Sequence, residues 1–343
     1  MRSNHHPNSV RHNGAGRFFL CLLLGLAACS PQQPSRLSGE AQGTYYNIQY
    51  YDPQHRNLQP QIDSILDAFD LSASLWVDSS LLRQLNSNQT DSIDVILTEL
   101  VRRSLYINEY TDGAFDCRIG KLVQTWGFSF SERSEPDSIT LATLLRFAHG
   151  SIGINGNRLV KEYPETELDF NAIAQGYSVD LLSAWMETLG INDYLIDVGG
   201  EVIAHGKKSN GKAWTVGIER PAENRYSAPE VQTAIDLKDL SVVTSGSYRK
   251  YYEKDGVKYS HTIDPATGRP VTHSLLSVSV VEKECWLADA MATAYMVMGL
   301  DSARQFIASH PDGPGTNAVC FIYDSCGTTQ TYATPAFLQL EKQ

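Results

Sequence analysis

Residues 168–201, LDFNAIAQGYSVDLLSAWMETLGINDYLIDVGGE, decide the class of fold. We predict a long helix over Ala172–Leu189, which ends at Gly190, a common stop residue. Tyr194–Val198 follows as a strand, and the Gly199-Gly200 pair is typical of a turn into a second strand. A long helix that leads into a hairpin of strands is typical of an α+β fold.

Patterns on both sides of this stretch extend the prediction. Apolar residues at helical spacing over 62–69 and again over 93–101 predict two amphipathic helices upstream. Further strands are predicted at Thr44–Tyr51, Trp214–Ile218, Val231–Leu237, Ser241–Thr244, Lys258–Ile263, Leu276–Val281, Val319–Tyr323 and Thr329–Tyr332, and further helices at Asp137–His149, Cys285–Met298 and Asp301–Ser309. We therefore expect an α+β (α/β-type) fold with a mostly antiparallel sheet and flanking helices.

The N-terminal segment has the pattern of a secretory signal. Three arginines precede the apolar run Phe18–Leu26, which is too short to span a bilayer. The sequence Leu26-Ala27-Ala28-Cys29 resembles a bacterial lipobox, so we predict a signal peptide over 1–28 and a lipid on Cys29. An ordinary signal peptide followed by a chance cysteine is the alternative.

The segment after Cys29 separates the anchor from the folded part. Residues 30–38 are rich in Pro, Gln and Ser, so we predict a flexible tether over 29–39. Residues 40–340 contain no internal repeat and no break in composition, and we predict that they form a single domain. Export and lipidation together predict a membrane-anchored lipoprotein on the periplasmic or another extracytoplasmic face.

Charge and cysteine content narrow the classes of partner. The formal net charge is −11, and it becomes −14 without residues 1–28, which hold three arginines and no acidic residue. Nucleic-acid binding is excluded on this ground, because phosphates need basic side chains. The lipid anchor must then supply the attachment to the membrane. Cys320 and Cys326 flank a predicted turn, and the sequence leaves open whether they form a disulfide.

Asp289 and Thr293 are the first candidates for chemistry. They lie four residues apart among small apolar residues, so on a helix they share one face. A carboxylate and a hydroxyl are hard oxygen ligands of the kind that Mg²⁺ uses together with substrate phosphates. An Asp that bonds to a neighbouring loop and a Thr that bonds back to its own helix are an equally good interpretation.

Three further segments have both a functional and a structural interpretation. The polar residues from Asp169 to Gln175 open a helix, whose unpaired N–H groups can bind a phosphate or can simply be capped. The loop around Ser245 offers hydroxyls for a phosphate or is a solvated turn. His261, at the end of a strand, can transfer a proton near neutral pH or can be structural. Neither GxGxxG nor GxxxxGK[ST] occurs, which excludes the two common nucleotide-binding motifs.

Taken in order, nine short motifs resemble those of the FAD:protein FMN transferase family, often called ApbE, over roughly residues 38–335. They are Gly43-Thr44-Tyr45, Ser74-Leu75-Trp76 with Asn86, residues 112–116, Trp126-Gly127-Phe128, residues 169–180, residues 198–201, residues 244–248, residues 260–268, and Ala288-Asp289 with Ala292-Thr293. No single motif is specific, but their order makes chance agreement improbable. The resemblance implies two interlocked lobes with FAD in a cleft between them, and Mg²⁺ at the pyrophosphate.

Site residues follow from the resemblance, position by position. It implies that Mg²⁺ is held by Asp289, Thr293 and the backbone carbonyl of Ala172, and that His261 handles the proton. It implies that FAD contacts Gln42, Trp76, Ala114, Phe115, Asp116, Asp169, Gln175 and Ile263, to which we add Ser245. Gln42, Trp76 and Gln175 depart from the residues that many members have, namely Met, Tyr and Lys. The neutral amide of Gln175 compensates a pyrophosphate less well than an ammonium group.

The implied reaction is the Mg²⁺-dependent transfer of FMN from FAD to a Thr or Ser hydroxyl of an acceptor protein, with release of AMP. The implied acceptors are extracytoplasmic subunits of ion-translocating electron-transfer complexes. An FAD pyrophosphatase would use the same residues, with water in place of the acceptor hydroxyl. A non-enzymatic flavin-binding lipoprotein is a third possibility, although a binder would not need the Asp289–Thr293 pair together with His261.

Overall fold

The computed structural model describes residues 33–128, 135–221, 230–247, 251–254 and 257–342, with the side chains of 251–260 left out. From Gln33 onward the chain forms one compact unit. The predicted signal peptide over 1–28 and the predicted lipid site at Cys29 lie outside the described residues. Within those residues, no helix combines the length and the apolar character that a membrane crossing requires.

The order of elements alternates helices with hairpins. The helices are α1 (Gln59–Ala73), α2 (Leu81–Asn86), α3 (Val95–Tyr110), α4 (Gly120–Thr125), α5 (Ser138–Ala148), α6 (Ala174–Thr188), α7 (Cys285–Ser309) and α8 (Pro335–Leu338). The strands are β1 (Ser35–Ala41), β2 (Thr44–Tyr50), β3 (Ile152–Asn155), β4 (Arg158–Lys161), β5 (Tyr194–Val198), β6 (Glu201–His205), β7 (Trp214–Arg220), β8 (Glu230–Leu237), β9 (Leu240–Gly246), β10 (Tyr251–Lys254), β11 (Val257–Ser260), β12 (Ile263–Asp264), β13 (Arg269–Pro270), β14 (Leu275–Glu282), β15 (Ala318–Ser325) and β16 (Thr328–Ala333).

An eight-stranded sheet forms the centre of the molecule, in the order β1-β2-β5-β6-β9-β14-β15-β16. All of its neighbouring pairs are antiparallel. The predicted α+β fold with a mostly antiparallel sheet is therefore confirmed. The predicted Gly199-Gly200 turn joins β5 to β6, with φ of +64° and +110° at the two glycines.

Alternation along the strands buries both faces of the sheet. In β14, Val278 and Val280 point into the main core, whereas Val281 points into a second core on the opposite face. Helices α1, α3, α6 and α7 cover the main core, and the β7–β8 hairpin with α8 covers the other. A third, small cluster forms around α4, α5 and Ile263. The sheet thus fixes α6 and α7 side by side on one face.

Several predicted boundaries differ from the structure. The tether predicted over 29–39 is wrong from Ser35 onward, because β1 pairs along its whole length with β2. The long helix begins at Ala174 and not at Ala172, after turns at 171–173. The two helices predicted at the C-terminal end are one element, α7, with a break at Gly299, where φ is +74°. The single strand predicted over Lys258–Ile263 is divided between β11 and β12.

The positions of Cys320 and Cys326 show whether the two residues form a disulfide. Cys320 is buried within β15, whereas Cys326 is exposed in the following turn, and both are free thiols. The disulfide that the sequence left open is therefore not formed. Cys117 is buried, and burial raises the pKa of its thiol to about 12. Because the thiolate is the reactive form, Cys117 is chemically quiet at neutral pH.

Glu282, at the end of β14, gives a prediction for stability. It is 4% exposed, both its carboxylate oxygens accept the Thr316 N–H (2.9 and 2.8 Å), and burial raises its pKa to about 7. Between the ordinary pKa of a glutamate and pH 7, the folded state keeps a proton that the unfolded state has lost. The free energy of unfolding therefore falls as pH rises through this window.

We expect Glu282→Gln to remove this part of the pH dependence. Between pH 5 and pH 8, the free energy of unfolding of wild type should fall by about 1–3 kcal/mol relative to that of the variant. Urea unfolding at both pH values measures it. Glu230→Gln, at an exposed position on β8, is the matched control. Equal slopes for wild type and both variants would contradict the assignment.

Candidate active site

Helices α6 and α7 approach each other closely at Gly176 and Asp289. The Gly176 N–H donates to Asp289 Oδ2 at 3.1 Å. A Cβ atom on Gly176 would lie 2.6 Å from the Cys285 carbonyl oxygen and 2.9 Å from the Asp289 Cβ. Only glycine permits this approach, so position 176 determines how near the Asp289 carboxylate lies to the start of α6.

The environment of Asp289 is unfavourable for a charge. The residue is 4% exposed, burial raises the pKa of its carboxyl, and the nearby charge of Asp180 raises that pKa further. In the described part of the chain, no lysine, arginine or histidine forms an ion pair with it. A buried carboxylate without a cationic partner is costly. A bound cation would remove that cost.

Two further oxygen atoms complete the predicted metal set. Thr293 lies one turn after Asp289, and its Oγ1 is 3.3 Å from Ser245 Oγ. In a regular helix the Gly176 N–H would donate to the Ala172 carbonyl, but here it donates to Asp289 instead. Ala172 lies before the first residue of α6, and no backbone N–H of the described residues donates to its carbonyl, which can therefore serve as a ligand.

This donor set fits Mg²⁺ better than a transition metal. It consists of one carboxylate, one hydroxyl and one carbonyl, all hard oxygen donors. Across the described ranges, no group of three or more His, Cys, Asp or Glu side chains is placed to hold a metal ion. A site with a single carboxylate is of the kind that Mg²⁺ completes with water and substrate phosphates.

Residues predicted to contact FAD surround the start of α6. The Gln42 Oε1 accepts a hydrogen bond from Ser178 Oγ at 3.2 Å, and its Nε2 is buried without a partner among the described residues. The Gln175 side chain lies against Gly199, where any Cβ would collide with it and with Thr44. The β1–β2 turn, the β5–β6 turn and α6 thus meet at one place.

A second group of predicted contacts leads into α6. The Asp169 N–H donates to the Cys117 carbonyl at 2.7 Å, and the Asp169 carboxylate accepts the Asn171 N–H at 2.8 Å. Burial raises the pKa of Asp169 to about 6. Asn86 holds the preceding residue, Leu168, through two hydrogen bonds of 2.8 Å to its N–H and carbonyl. Asp169 is therefore a fixed acceptor near the start of α6.

The 114–116 segment is more strongly engaged within the protein than predicted. Phe115 packs in the main core, and its N–H and carbonyl bond to Thr111 and Asn108. Asp116 pairs with Arg118 at 2.7 Å. A cavity of about 510 Å³ opens beside that pair. Any ligand contact to Asp116 would therefore be shared with the Arg118 guanidinium.

Trp76, His261 and Ile263 are held by other elements. Trp76 is 61% exposed between α1 and α2. The His261 ring lies 6.4 Å from the Phe128 ring, edge to face. Ile263 is buried against α4 and α5 in the third cluster.

Sequence reasoning gave no role to Asp180 or Ser178. Ser178 bonds the Gln42 side chain, and Asp180 bonds the start of α7. The available signal for Asp180 was an acidic residue one turn after Gly176 in a helix whose neighbouring residues are apolar. That signal does not indicate a partner, because the partner lies more than a hundred residues further along the chain.

The chain is similar to known proteins in both sequence and structure. Residues 42–316 match the model of the ApbE family. The FAD:protein FMN transferase of Vibrio cholerae is 36% identical over 293 residues, covering 82% of this chain and 86% of that protein. The solved flavin transferase ApbE from Vibrio cholerae gives a TM-score of 0.79 at 31% identity, covering 90% of this chain and 100% of that one. The apo flavinyl transferase ApbE of Pseudomonas stutzeri gives 0.80 at 29% identity, covering 91% and 98%.

Proposed function

Since the chain belongs to the ApbE family and is an FAD:protein FMN transferase, we propose that it transfers FMN with Mg²⁺ onto a Thr or Ser hydroxyl and releases AMP. The observation that carries the magnesium part is the buried Asp289 carboxylate. It has no cationic partner among the described residues, lies one turn before Thr293, and accepts the Gly176 N–H at the start of α6.

Asp289, Thr293 and the Ala172 carbonyl are the residues that would hold the metal. A magnesium ion held there would neutralise charge on the pyrophosphate of FAD and on the departing AMP. The buried carboxylate and the geometry of Gly176 support this assignment.

The binding of FAD is assigned to the groups around the start of α6. The positive end of the α6 dipole favours phosphate, and the Ser245 hydroxyl lies 3.3 Å from the Thr293 hydroxyl. The Gln42 Nε2, which has no partner among the described residues, is a donor, and the Asp169 carboxylate is an acceptor. Exposed Trp76 offers a face for a flavin or adenine ring. Ala114, Phe115, Asp116, Gln175 and Ile263 complete the proposed FAD contacts.

His261 is proposed to accept the proton of the acceptor hydroxyl. The hydroxyl oxygen forms a bond to the phosphorus of the FMN phosphate, and the bond from that phosphorus to the oxygen shared with AMP breaks. AMP leaves with that oxygen, and the imidazole holds the proton. A neutral imidazole is suited to this role near pH 7.

We further propose that the protein acts at a membrane surface. A lipid on Cys29 would anchor it on the extracytoplasmic side, and more than one acyl chain makes such an anchor firm. The proposed acceptors are extracytoplasmic flavin-carrying subunits of ion-translocating electron-transfer complexes. An enzyme and an acceptor at the same surface meet more often than two proteins in free solution.

Product analysis tests the reaction class. The chain is incubated with FAD and Mg²⁺, with and without a Thr-containing acceptor domain, and the nucleotides are separated by chromatography. We expect AMP to appear in proportion to acceptor and to vanish when a chelator removes the metal. FMN and AMP in equal amounts without an acceptor would indicate a pyrophosphatase. Intact FAD bound without turnover would indicate a flavin-binding protein.

Gln175→Lys should strengthen FAD binding. A lysine at the start of α6 adds a positive charge where the pyrophosphate is proposed to lie, so the KM for FAD should fall about two- to fivefold at low salt. The effect should shrink at high ionic strength. Gln232→Lys, at an exposed position of β8, adds the same charge elsewhere and is the control. An unchanged or higher KM in Gln175→Lys would place the pyrophosphate away from this residue.

A further inference from the structure

The start of α7 is capped by a side chain from another helix. Asp180 of α6 accepts the Cys285 N–H through Oδ1 and the Trp286 N–H through Oδ2, both at 2.8 Å. The residue that precedes α7, Glu284, makes no capping hydrogen bond through its side chain. The first amides of α7 therefore take their acceptor from α6.

Two contacts, spaced by about one turn, fix α7 against α6. One joins Gly176 to Asp289, and the other joins Asp180 to the pair Cys285–Trp286. The later residue on α6, Asp180, contacts the earlier residues on α7, so the two helices are antiparallel at this junction. A slide of one helix along the other would break both at once, so together they determine the height of Asp289 along α6.

A third helix closes this junction. The guanidinium of Arg103, on α3, lies 4.6 Å from the centre of the Tyr177 ring and 4.7 Å from that of Trp286. Tyr177 is next to Gly176 on α6, and Trp286 is one of the two residues that Asp180 caps. The Arg103 side chain thus bridges both helices, and each cation–π contact favours the same alignment.

We infer that Asp180 is a positioning residue for the metal site, an inference that rests on the proposed function. Its two hydrogen bonds hold the first turn of α7, and the next turns carry Asp289 and Thr293. Without these two hydrogen bonds, the first turn of α7 can shift, and Asp289 and Thr293 lose their alignment with the Ala172 carbonyl. We assign Asp180 no direct contact with the substrate or the metal.

Asp180→Asn tests the inference, because asparagine keeps the shape but turns one acceptor into a donor that faces a backbone N–H. Asp94→Asn is the matched control, since Asp94 caps α3 by accepting the Leu97 N–H at 2.8 Å. Full-length protein in detergent is stripped of metal, and its melting temperature is followed while MgCl₂ is added. Transfer activity is measured over the same range of Mg²⁺.

We expect both variants to melt about 2–4 °C below wild type. Only Asp180→Asn should need about tenfold more Mg²⁺ to reach half of the stabilisation. Its kcat at saturating Mg²⁺ should recover to within about twofold of wild type, because the ligands themselves are intact. Asp94→Asn should keep the wild-type requirement for Mg²⁺.

A wild-type Mg²⁺ midpoint in Asp180→Asn, together with a melting temperature lowered as in Asp94→Asn, would overturn the inference and leave Asp180 as a cap only. A wild-type protein that is active but gives no response to Mg²⁺ in either measurement would refute the proposed metal dependence, and the inference with it. The two failures are distinguishable, because the second is seen before any variant is made.

Discussion

Replacing Asp289 by asparagine is expected to reduce kcat/KM for FMN transfer at least about 100-fold. Asparagine keeps the size of the side chain and can still accept the Gly176 N–H, but it removes the only carboxylate of the proposed metal set. Steady-state transfer to an acceptor domain over a range of Mg²⁺ measures the effect. Asp301→Asn, at an exposed position on the same helix, should retain wild-type activity.

The stability of the same variant should change in the opposite direction. Burial holds the pKa of Asp289 above its usual range, so ionising it at neutral pH disfavours the folded state. Metal-free Asp289→Asn should therefore be at least as stable as wild type at pH 8, and added Mg²⁺ should stabilise wild type only. Urea unfolding with and without Mg²⁺ measures both. Loss of activity with a large loss of metal-free stability would instead indicate a structural role.

His261→Ala is expected to lower kcat for transfer by about 10²- to 10⁴-fold, the usual range for a lost general base. The affinity for FAD should stay near that of wild type, because the imidazole is assigned to the acceptor hydroxyl and not to the nucleotide. Stopped-flow or steady-state transfer gives the rate, and fluorescence titration gives the FAD affinity.

A histidine to which we assign no part in binding or transfer provides the control for this prediction. His205 lies at the end of β6, where its Nδ1 contacts the Asn192 carbonyl at 2.7 Å. His205→Ala should leave transfer unchanged. Retained transfer in His261→Ala would remove His261 from the proton-accepting role, and a parallel loss of FAD affinity would reassign it to binding.

Local patterns predicted the parts of the fold that depend on near neighbours. The strands β5, β14 and β15 were predicted correctly because runs of apolar residues bounded by turn residues indicate a strand even when its partner strand is unknown. The helix around Ile62 was found from its apolar spacing, which directly reflects the face that it buries in the main core. The apolar residues and turn residues that make up these patterns lie close together in the chain, so one sequence is enough to recognise them.

The predicted start of α6 and the predicted tether were wrong for a different reason. β1, with the sequence SRLSGEA, has few strand-forming residues, and it exists because β2 offers it a complete hydrogen-bonding edge. The helix α6 starts at Ala174 and not at Ala172 because residues 171–173 form turns, and just before them the Asp169 N–H bonds to the Cys117 carbonyl. Both outcomes depend on partners that are distant in sequence.

The candidate site shows the same division. Asp289 and Thr293 could be paired from their spacing, since residues four apart share a helix face. The contacts that give Asp289 its environment join residues 113 positions apart, and those of Asp180 join residues 105 and 106 apart. No local sequence pattern contains such pairs, so the contacts between α6 and α7 could be found only from the structure.

The most direct test of the central claim is the intact mass of an acceptor domain that contains a single candidate threonine. The domain is incubated with the full-length chain, FAD and Mg²⁺, and its mass is measured by electrospray ionisation. We predict a mass increase equal to one FMN phosphoester, which is absent when that threonine is replaced by valine or when Mg²⁺ is chelated. An unmodified acceptor, with FAD either intact or hydrolysed to FMN and AMP, would contradict it.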